Sequence, residues 1–182
     1  LVPELSSSPA GAWHASNLPA LQRIVQLGPH TMPSAISFDE VMSRGGSAPK
    51  SRLDGISASL KPDDPINIQF TSGTTGRPKG ATLSHFSIIN NGISAARRMQ
   101  FTPDDALCVP VPLYHCFGMV LGNLAAVSYG VKLVFPGEGF DPVKTLNALE
   151  QEKCTAVHGV PTMFAAMLDH EKFDTFNLRQ LR

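Results

Sequence analysis

Residues 71–80 interrupt the hydrophobic patterning of the chain with side chains that a core does not use. Three glycines allow the backbone to turn through positive φ and let another group approach the main chain closely. Four hydroxyls and the Lys79 ammonium supply hydrogen-bond donors. Successive N–H groups in such a turn also form a concave region of partial positive charge. The segment therefore predicts a site for an anion with several oxygens, such as a polyphosphate.

The segment is not a Walker A loop, which has Gly, four residues and then Gly-Lys-Ser/Thr. Counting from Gly73, Pro78 stands at the position of the second glycine, and Lys79 is followed by Gly80. Because Pro78 lacks an N–H, a phosphate-binding helix does not begin there in the P-loop manner. We expect the loop itself to hold the phosphates. A flexible Gly/Thr-rich surface loop is the alternative, although a flexible linker gains nothing from Pro78.

Residues 70–80, Phe-Thr-Ser-Gly-Thr-Thr-Gly-Arg-Pro-Lys-Gly, resemble the phosphate-binding signature of the adenylate-forming superfamily. This superfamily includes acyl-CoA synthetases, luciferases and the adenylation domains of peptide synthetases. Residues 112–119, Pro-Leu-Tyr-His-Cys-Phe-Gly-Met, resemble the Pro-Leu-aromatic-His-x-x-Gly motif of fatty and aryl acyl-CoA ligases. Residues 109–142 look most similar to the mitochondrial medium-chain branch of these ligases. Two motifs in this order argue against coincidence.

The resemblance implies a reaction in two steps. A carboxylate attacks the α-phosphorus of ATP to give an acyl-adenylate and pyrophosphate, and the CoA thiol then displaces AMP to give a thioester. The implied partners are ATP with Mg²⁺, a medium-chain fatty acid and CoA, and the implied location is the mitochondrial matrix. The alternatives are a luciferase-like or aryl-CoA enzyme, a peptide-synthetase adenylation domain, and a nucleotide-binding module without catalysis.

The resemblance also assigns roles to individual residues. Lys79 is expected to neutralise the β- and γ-phosphates, whereas Arg77 is expected to be solvated rather than in contact. His115 is the predicted catalytic residue, placed near the bound carboxylate where a neutral imidazole donates to an oxygen; a buried, satisfied histidine is the alternative. The predicted ATP-binding residues are Thr71, Ser72, Gly73, Thr74, Thr75, Gly76, Arg77, Pro78 and Lys79. The predicted substrate residues are His115, Phe117, Gly118 and Met119, with core packing as the alternative for the last three.

Three further side chains near these motifs are expected to be structural. Tyr114 is predicted to pack against the protein, and His85 and His158 are predicted to be structural histidines. The absent side chain of Gly118 is expected to leave room for an acyl chain.

Composition excludes several other classes of function. The 182 residues carry no formal net charge and no basic cluster, which argues against nucleic acid or an anionic membrane as the main partner. No apolar run approaches the length of a membrane span. The three cysteines, Cys108, Cys116 and Cys154, form no CxxC pair. This favours reduced, packed thiols in an intracellular compartment over a disulfide framework, and we expect no metal site in this chain.

Strands and helices alternate at βαβ spacing, which predicts an α/β fold with a mainly parallel sheet and helices on both faces. The resemblance makes this part of the large N-terminal domain of an adenylate-forming enzyme. The predicted strands are 22–27, 66–70, 81–83, 106–111, 131–135 and 155–158. The predicted helices begin after the caps Ser37, Ser84 and Asp141, at residue 117 and at Pro161, and end near 45, 100, 152, 129 and 168 respectively. The helix after Ser84 is expected to bury Phe86, Ile89, Ile93 and Ala96.

Ligands bind at the carboxyl ends of strands in open α/β sheets. Residues 71–80, 112–118 and 158–162 each follow a predicted strand, so we expect them to face one cleft, with the last bordering the acyl pocket by resemblance. Residues 1–65 are expected to form the end of a first α/β subdomain, with an irregular connection over 43–65. Residues 66–182 form the expected loop-bearing segment. The superfamily's adenine, ribose, Mg²⁺ and catalytic lysine positions have no match here, so we expect the chain to be inactive alone.

Overall fold

The computed structural model describes residues 15–29, 32, 34–73 and 76–182. Thr74 and Thr75 of the predicted phosphate loop lie outside these residues. The chain forms two compact units, one ending at Leu60 and one beginning at Lys61. None of the helices in the described ranges is long and apolar enough to cross a membrane.

In the first unit, strand β1 (Val25–Gln26) pairs in parallel with strand β2 (Ile36–Ser37). The predicted strand over 22–27 is therefore shorter than expected. Helix α1 (Phe38–Gly46) follows directly, and the Ser37 hydroxyl accepts a hydrogen bond from the Glu40 N–H at 3.2 Å. Both the predicted cap and the predicted end of this helix are confirmed.

The prediction of an irregular connection over 43–65 is wrong, because helix α2 (Lys50–Ser59) lies within it. The usual signals of a helix are absent from its sequence. Pro49 at the N-cap offers no side-chain hydrogen bond, Gly55 lies in the middle, and every residue of the helix is exposed. Leu53 and Ile56 are spaced like one apolar face of a helix, but both are exposed, and two apolar residues are too few to predict a helix over this stretch.

The second unit begins with an antiparallel hairpin of β3 (Pro65–Thr71) and β4 (Lys79–Ser84). Both predicted strands, 66–70 and 81–83, are confirmed and extended. In the register of this hairpin, Thr71 lies opposite Lys79. The predicted phosphate loop is thus the connection of a hairpin, and in the described ranges this hairpin is a two-stranded sheet separate from the parallel one.

Helix α3 (His85–Arg98) begins at a capping box in which Ser84 and Ser87 bond each other's backbone N–H. Its buried residues are Gly92 and Ala96. Phe86 is 58% exposed and Ile89 is 37% exposed, so the predicted apolar face is wrong at these two positions. A Cβ on Gly92 would lie 3.1 Å from the Cβ of Leu124. The helix therefore packs through its small residues, because close approach to the next helix excludes larger ones.

A parallel three-stranded sheet in the order β6-β5-β7 forms the centre of the second unit. Its strands are β5 (Ala106–Cys108), β6 (Lys132–Val134) and β7 (Ala156–Val157). Leu107 packs in a cluster with α3 and α4 residues, and Cys108 packs in a second cluster with residues of α5 and α6. Because successive strand residues face opposite sides, the sheet is covered by helices on both faces, as predicted.

The helices of this sheet follow the predicted positions. The predicted helix over 117–129 is wound as π-helical turns over Phe117–Leu124 and continues as α4 (Ala125–Tyr129). Helix α5 (Pro142–Gln151) is capped by Asp141, whose carboxylate accepts from the Lys144 N–H at 2.8 Å. Helix α6 (Pro161–Leu168) has the predicted bounds, and a short 3₁₀ turn follows at Phe173–Thr175.

All three cysteines are free thiols. Cys108 and Cys154 are buried, as predicted for packed thiols, but Cys116 is exposed. The contact with the Cys154 thiol, together with burial, raises the pKa of the Cys108 thiol. Cys108 is therefore protonated at neutral pH and acts as a small core residue.

A buried carboxylate secures the amino-terminal edge of the parallel sheet. Asp105, which precedes β5, is 5% exposed and accepts hydrogen bonds from Arg182 at 2.8 and 3.0 Å and from the Thr155 hydroxyl at 2.7 Å. Arg182 also donates to the carbonyl of Gln100 at 3.0 Å, just after α3. The Arg182 guanidinium holds the pKa of the Asp105 carboxyl well below its usual range, against the opposing effect of burial.

Replacing Asp105 by Asn removes the charge and keeps the shape. We expect the free energy of unfolding near neutral pH to fall by about 2 kcal/mol, the usual size for hydrogen bonds to a charged group. Because the folded-state pKa is lowered, the contribution of Asp105 is complete above the unfolded carboxyl pKa of about 3.9 and is lost as the pH falls toward the folded-state value. Urea unfolding of both forms at about pH 7 and about pH 3 measures this effect. An equal difference at both pH values would contradict it.

Candidate active site

The phosphate-type loop is a tight connection between β3 and β4. Gly73 has φ of 60° and Gly76 has φ of 78°, which are conformations that favour glycine. A Cβ on Gly73 would lie 2.4 Å from the carbonyl oxygen of Arg77. The loop therefore folds back on itself, and Gly73 is needed for that close approach.

The described side chains of the loop point to solvent rather than into a core. Thr71, Ser72, Arg77 and Lys79 are all exposed. Lys79 is the first residue of β4, so its backbone is paired with Thr71 while its ammonium stays accessible. The arrangement offers two hydroxyls and two cations to an incoming anion.

The second motif follows the carboxyl end of β5 and folds into a turn that leads to the π-helical segment. The His115 N–H donates to the Pro112 carbonyl at 3.3 Å, and the Met119 N–H donates to the His115 carbonyl at 3.0 Å. Gly118 is buried, and a Cβ there would lie 2.4 Å from the Pro112 oxygen. The turn itself thus requires the absence of a side chain at Gly118, a reason different from the expected room for an acyl chain.

His115 is exposed, so the alternative of a buried, satisfied histidine is wrong. Its Nδ1 lies 3.0 Å from the backbone N of Phe117, which donates to it. A neutral ring that accepts at Nδ1 carries its proton on Nε2. The backbone thereby sets the tautomer and leaves Nε2–H as the donor, which is the state expected of a group that binds an oxygen.

The third segment meets the second one at the same edge of the sheet. β7 runs parallel to β5, and the ring of His158 lies 5.2 Å from that of Phe117, centroid to centroid. His158 is buried with its Nε2 3.4 Å from the Met99 sulfur. Burial lowers the pKa of His158, which keeps it neutral near pH 7 and agrees with the predicted structural role.

The phosphate-type loop reaches the second motif through its strand. The side-chain Nε2 of Gln69 donates to the Tyr114 carbonyl at 3.3 Å. The three segments are expected to face one cleft because each follows a strand, but in the described ranges the loop does not leave the parallel sheet, since β3 pairs with β4 instead of β5. The segments at 112–118 and 158–162 do leave neighbouring parallel strands. Tyr114 itself is 86% exposed, so its predicted packing role is also wrong.

Two cavities flank the second motif. One of about 550 Å³ lies between residues 109–114 and residues 135–140, with Glu138 among its lining residues. The other, of about 330 Å³, lies between α3 and the π-helical turns. It is lined by Leu83, Ser87, Ile88, Asn91, Cys116, Val120 and Leu121. Phe117, Gly118 and Met119, the predicted substrate residues, do not line either of these two cavities.

Gln69 and the α3 side of the smaller cavity are parts of the candidate site that the motifs do not indicate. Gln69 alternates with apolar residues in β3, a pattern that suggests a solvent-facing side chain. Asn91 lies on α3 outside the predicted apolar face of that helix. Neither residue carries a local signal for contact with the second motif, which is distant in sequence.

The family described as AMP-binding enzyme matches residues 12–182. The chain belongs to this family. The resemblance to adenylate-forming enzymes drawn from the two motifs is thereby confirmed. The sequence match includes both motifs and the turn at 158–162.

Relatives and solved structures give the same assignment. The putative acyl-CoA synthetase YngI of Bacillus subtilis (strain 168) is 42% identical over 182 residues, covering 100% of this chain and 33% of that protein. The mitochondrial medium-chain acyl-CoA ligase ACSF2 of Danio rerio is 41% identical over 184 residues, covering 100% of this chain and 30% of that protein. The structure of ATP-bound MatB from Rhodopseudomonas palustris is 33% identical, with a TM-score of 0.60 over 68% of this chain and 24% of that one. The chain spans about a third or less of the curated relatives it matches.

Replacing Gly118 by Ala tests the turn that carries His115. We expect a loss of about 2 kcal/mol in the free energy of unfolding, because the new methyl group would meet the backbone of Pro112 and the turn has to shift. The control is Gly139→Ala, where a Cβ would meet no described atom within 4 Å; we expect a change within about 0.5 kcal/mol. Urea unfolding of both variants measures the difference, and equal stability would contradict this account of Gly118.

Proposed function

We propose that the enzyme carrying this chain activates a medium-chain fatty acid with ATP and transfers the acyl group to CoA. The observation that carries the proposal is a link between the segments that bear two exposed side chains, Lys79 of the loop and His115 of the second motif. The phosphate-type loop and His115 belong to segments that are linked by the Gln69–Tyr114 hydrogen bond. Adenylate formation requires such an arrangement, because an anion site has to lie beside a group that orients a carboxylate.

The loop is proposed to bind the phosphates of ATP. Hydroxyls and backbone N–H groups at the tight turns donate to phosphate oxygens, and Lys79 adds a full positive charge. Phosphoryl chemistry asks the protein mainly for positioning and for stabilisation of charge on these oxygens. The open position of Thr71, Ser72 and Lys79 is compatible with this role. Arg77 is proposed to remain solvated.

His115 is proposed to donate its Nε2–H to the substrate carboxylate or to an oxygen of the α-phosphate. The Phe117 N–H supports this proposal, since it occupies Nδ1 and directs the proton to Nε2. In this role His115 orients the attacking carboxylate and stabilises developing charge, with no need to change its protonation state.

The acyl chain is proposed to occupy the smaller cavity beside His115. Leu83, Ile88, Val120 and Leu121 make most of its wall apolar. Its volume of about 330 Å³ lies near the lower end of the usual range for ligand pockets, roughly 300–1,000 Å³. Such a volume favours a medium chain over a long one. The turn at 158–162 packs against the second motif through the contact of the His158 ring with the Phe117 ring.

Mg²⁺ and CoA are proposed as further participants that this chain does not bind alone. In the described ranges no three His, Cys, Asp or Glu side chains converge to hold a metal ion, so we assign no step of the reaction to this chain's own metal ligands. We propose that the 182 residues alone neither adenylate nor form the thioester. The mitochondrial ACSF2 relatives support a mitochondrial location for the enzyme.

Replacing Lys79 by Ala tests the phosphate role. We expect acyl-adenylate formation in the complete enzyme to slow by about 10²-fold, or about 3 kcal/mol, because one charge on the phosphates is lost. Pyrophosphate release with octanoate, a medium-chain acid, measures the rate. Lys172→Ala removes the same charge beside the 3₁₀ turn and should leave the rate unchanged. Turnover in the Lys79 variant equal to wild type would remove Lys79 from the mechanism.

Replacing His115 by Ala tests the carboxylate role. We expect the rate of acyl-adenylate formation to fall by about 10²-fold, with little change in ATP affinity, since the imidazole is proposed to act on the acid and not on the β- and γ-phosphates. Single-turnover formation of the adenylate and calorimetric titration with ATP separate the two quantities. A loss of ATP affinity equal to the loss of rate would contradict the assignment.

Assays of the complete enzyme with ATP, carboxylic acids and free CoA separate the competing functions. Thioester formation with free CoA distinguishes an acyl-CoA ligase from a luciferase-like enzyme or a peptide-synthetase adenylation domain. ATP binding without pyrophosphate release for any carboxylic acid would indicate a nucleotide-binding module instead.

A further inference from the structure

Strand β3 turns its polar side chains toward the protein and its apolar side chains toward solvent. Ile66, Ile68 and Phe70 are 49%, 62% and 68% exposed. Asn67 and Gln69 on the opposite face are half-buried. This is the reverse of the usual arrangement in a half-buried strand, where apolar residues face the protein. Of these two polar residues, Gln69 donates a side-chain hydrogen bond to another segment, whereas the buried Oδ1 of Asn67 has no hydrogen-bond partner among the described residues.

Gln69 makes the contact that matters for the site. Its amide nitrogen donates to the Tyr114 carbonyl at 3.3 Å. The Tyr114 side chain is 86% exposed, so its ring does little to hold this part of the second motif in place. The hydrogen bond to the Tyr114 backbone instead ties the start of the motif to β3.

The two ends of this contact lie next to the two proposed functional groups. Tyr114 immediately precedes His115. Gln69 lies two residues before Thr71, about 7 Å along an extended strand, and Thr71 is paired with Lys79 at the base of the phosphate-type loop. A single side chain thus connects the backbone that carries the loop with the backbone that carries the histidine.

We infer that Gln69 is a positioning residue that sets the distance and orientation of His115 relative to the phosphate loop. This inference rests on the proposed function. Gln69 touches neither ATP nor the acid; it acts through the Tyr114 carbonyl. The local turn at 112–119 fixes the conformation of the second motif, and Gln69 fixes the position of that motif relative to β3. Misplacement of a reacting group by a small distance slows a reaction substantially even when both binding sites remain intact.

Two variants of the complete enzyme test the inference. Gln69→Met keeps the length of the side chain and removes its polarity, and Gln69→Glu keeps its shape and polarity and removes the donor. We expect both variants to form the acyl-adenylate about 10-fold more slowly in single turnovers, with ATP affinity within about 3-fold of wild type. Gln151→Met makes the same change on the exposed last residue of α5 and should leave both quantities unchanged.

A double-mutant cycle identifies the route of the effect. If Gln69 acts through His115, adding Gln69→Met to His115→Ala should slow the enzyme by no more than about 2-fold beyond the single His115 variant. A merely structural role would make the two losses multiply. Multiplying losses, a wild-type rate in both Gln69 variants, an equal loss in ATP affinity, or unfolding of both variants would each overturn the inference. Absence of pyrophosphate release by the wild-type enzyme with every acid tested would instead reject the proposed function.

Discussion

Burial of strand β5 on both faces is the constraint on which the second unit depends. Leu107 and Cys108 point to opposite sides of the sheet, and each is fully buried in a different hydrophobic cluster. The helices on the two faces are therefore held in place through one short strand. Burying a leucine side chain such as that of Leu107 contributes roughly 1.5–3 kcal/mol to the free energy of unfolding. The central strand therefore helps to fix the position of both helix layers.

The amino end of β5 carries a stabilising ion pair, and its carboxyl end leads to the proposed site. At the amino end, Asp105 joins the strand to the carboxyl end of α3 and to the start of β7 through Arg182 and Thr155. At the carboxyl end, the chain leaves the sheet and forms the turn that bears His115. Charge is thus buried and neutralised at the edge away from the proposed site. At the site itself, the polar groups of Lys79 and His115 stay open to solvent.

Elements with their own local signals were predictable from the sequence, and elements that depend on distant partners were not. Helices α5 and α6 were placed correctly because Asp141 caps the first and Pro161 opens the second. Helix α2 has no side-chain hydrogen bond at its N-cap, no buried face and a central glycine, so its sequence gives little local signal of a helix. On α3, hydrophobicity predicts burial of Phe86 and Ile89, which are exposed. Ala96 is buried as predicted, and close approach to Leu124 adds Gly92, which hydrophobicity does not select.

The same distinction applies to the candidate site. The loop glycines and His115 belong to contiguous motifs, so the sequence indicated them. The hydrogen bond from Gln69 to the Tyr114 carbonyl, by contrast, joins residues 45 positions apart that carry no pattern in common.

The geometry of His115 is set by backbone groups, whereas the wall of the smaller cavity is set by side chains. Phe117 is the first residue of the π-helical segment, and its N–H is one of the donors that a helix start leaves without an internal partner. That donor selects the His115 tautomer, and the turn needs only that Gly118 remain small. The α3 residues Ile88 and Asn91 line the cavity and take part neither in that hydrogen bond nor in the close approach at Gly118. We therefore expect substitutions on α3 to reshape the smaller cavity, the proposed site of the acyl chain, while the orientation of the imidazole is retained.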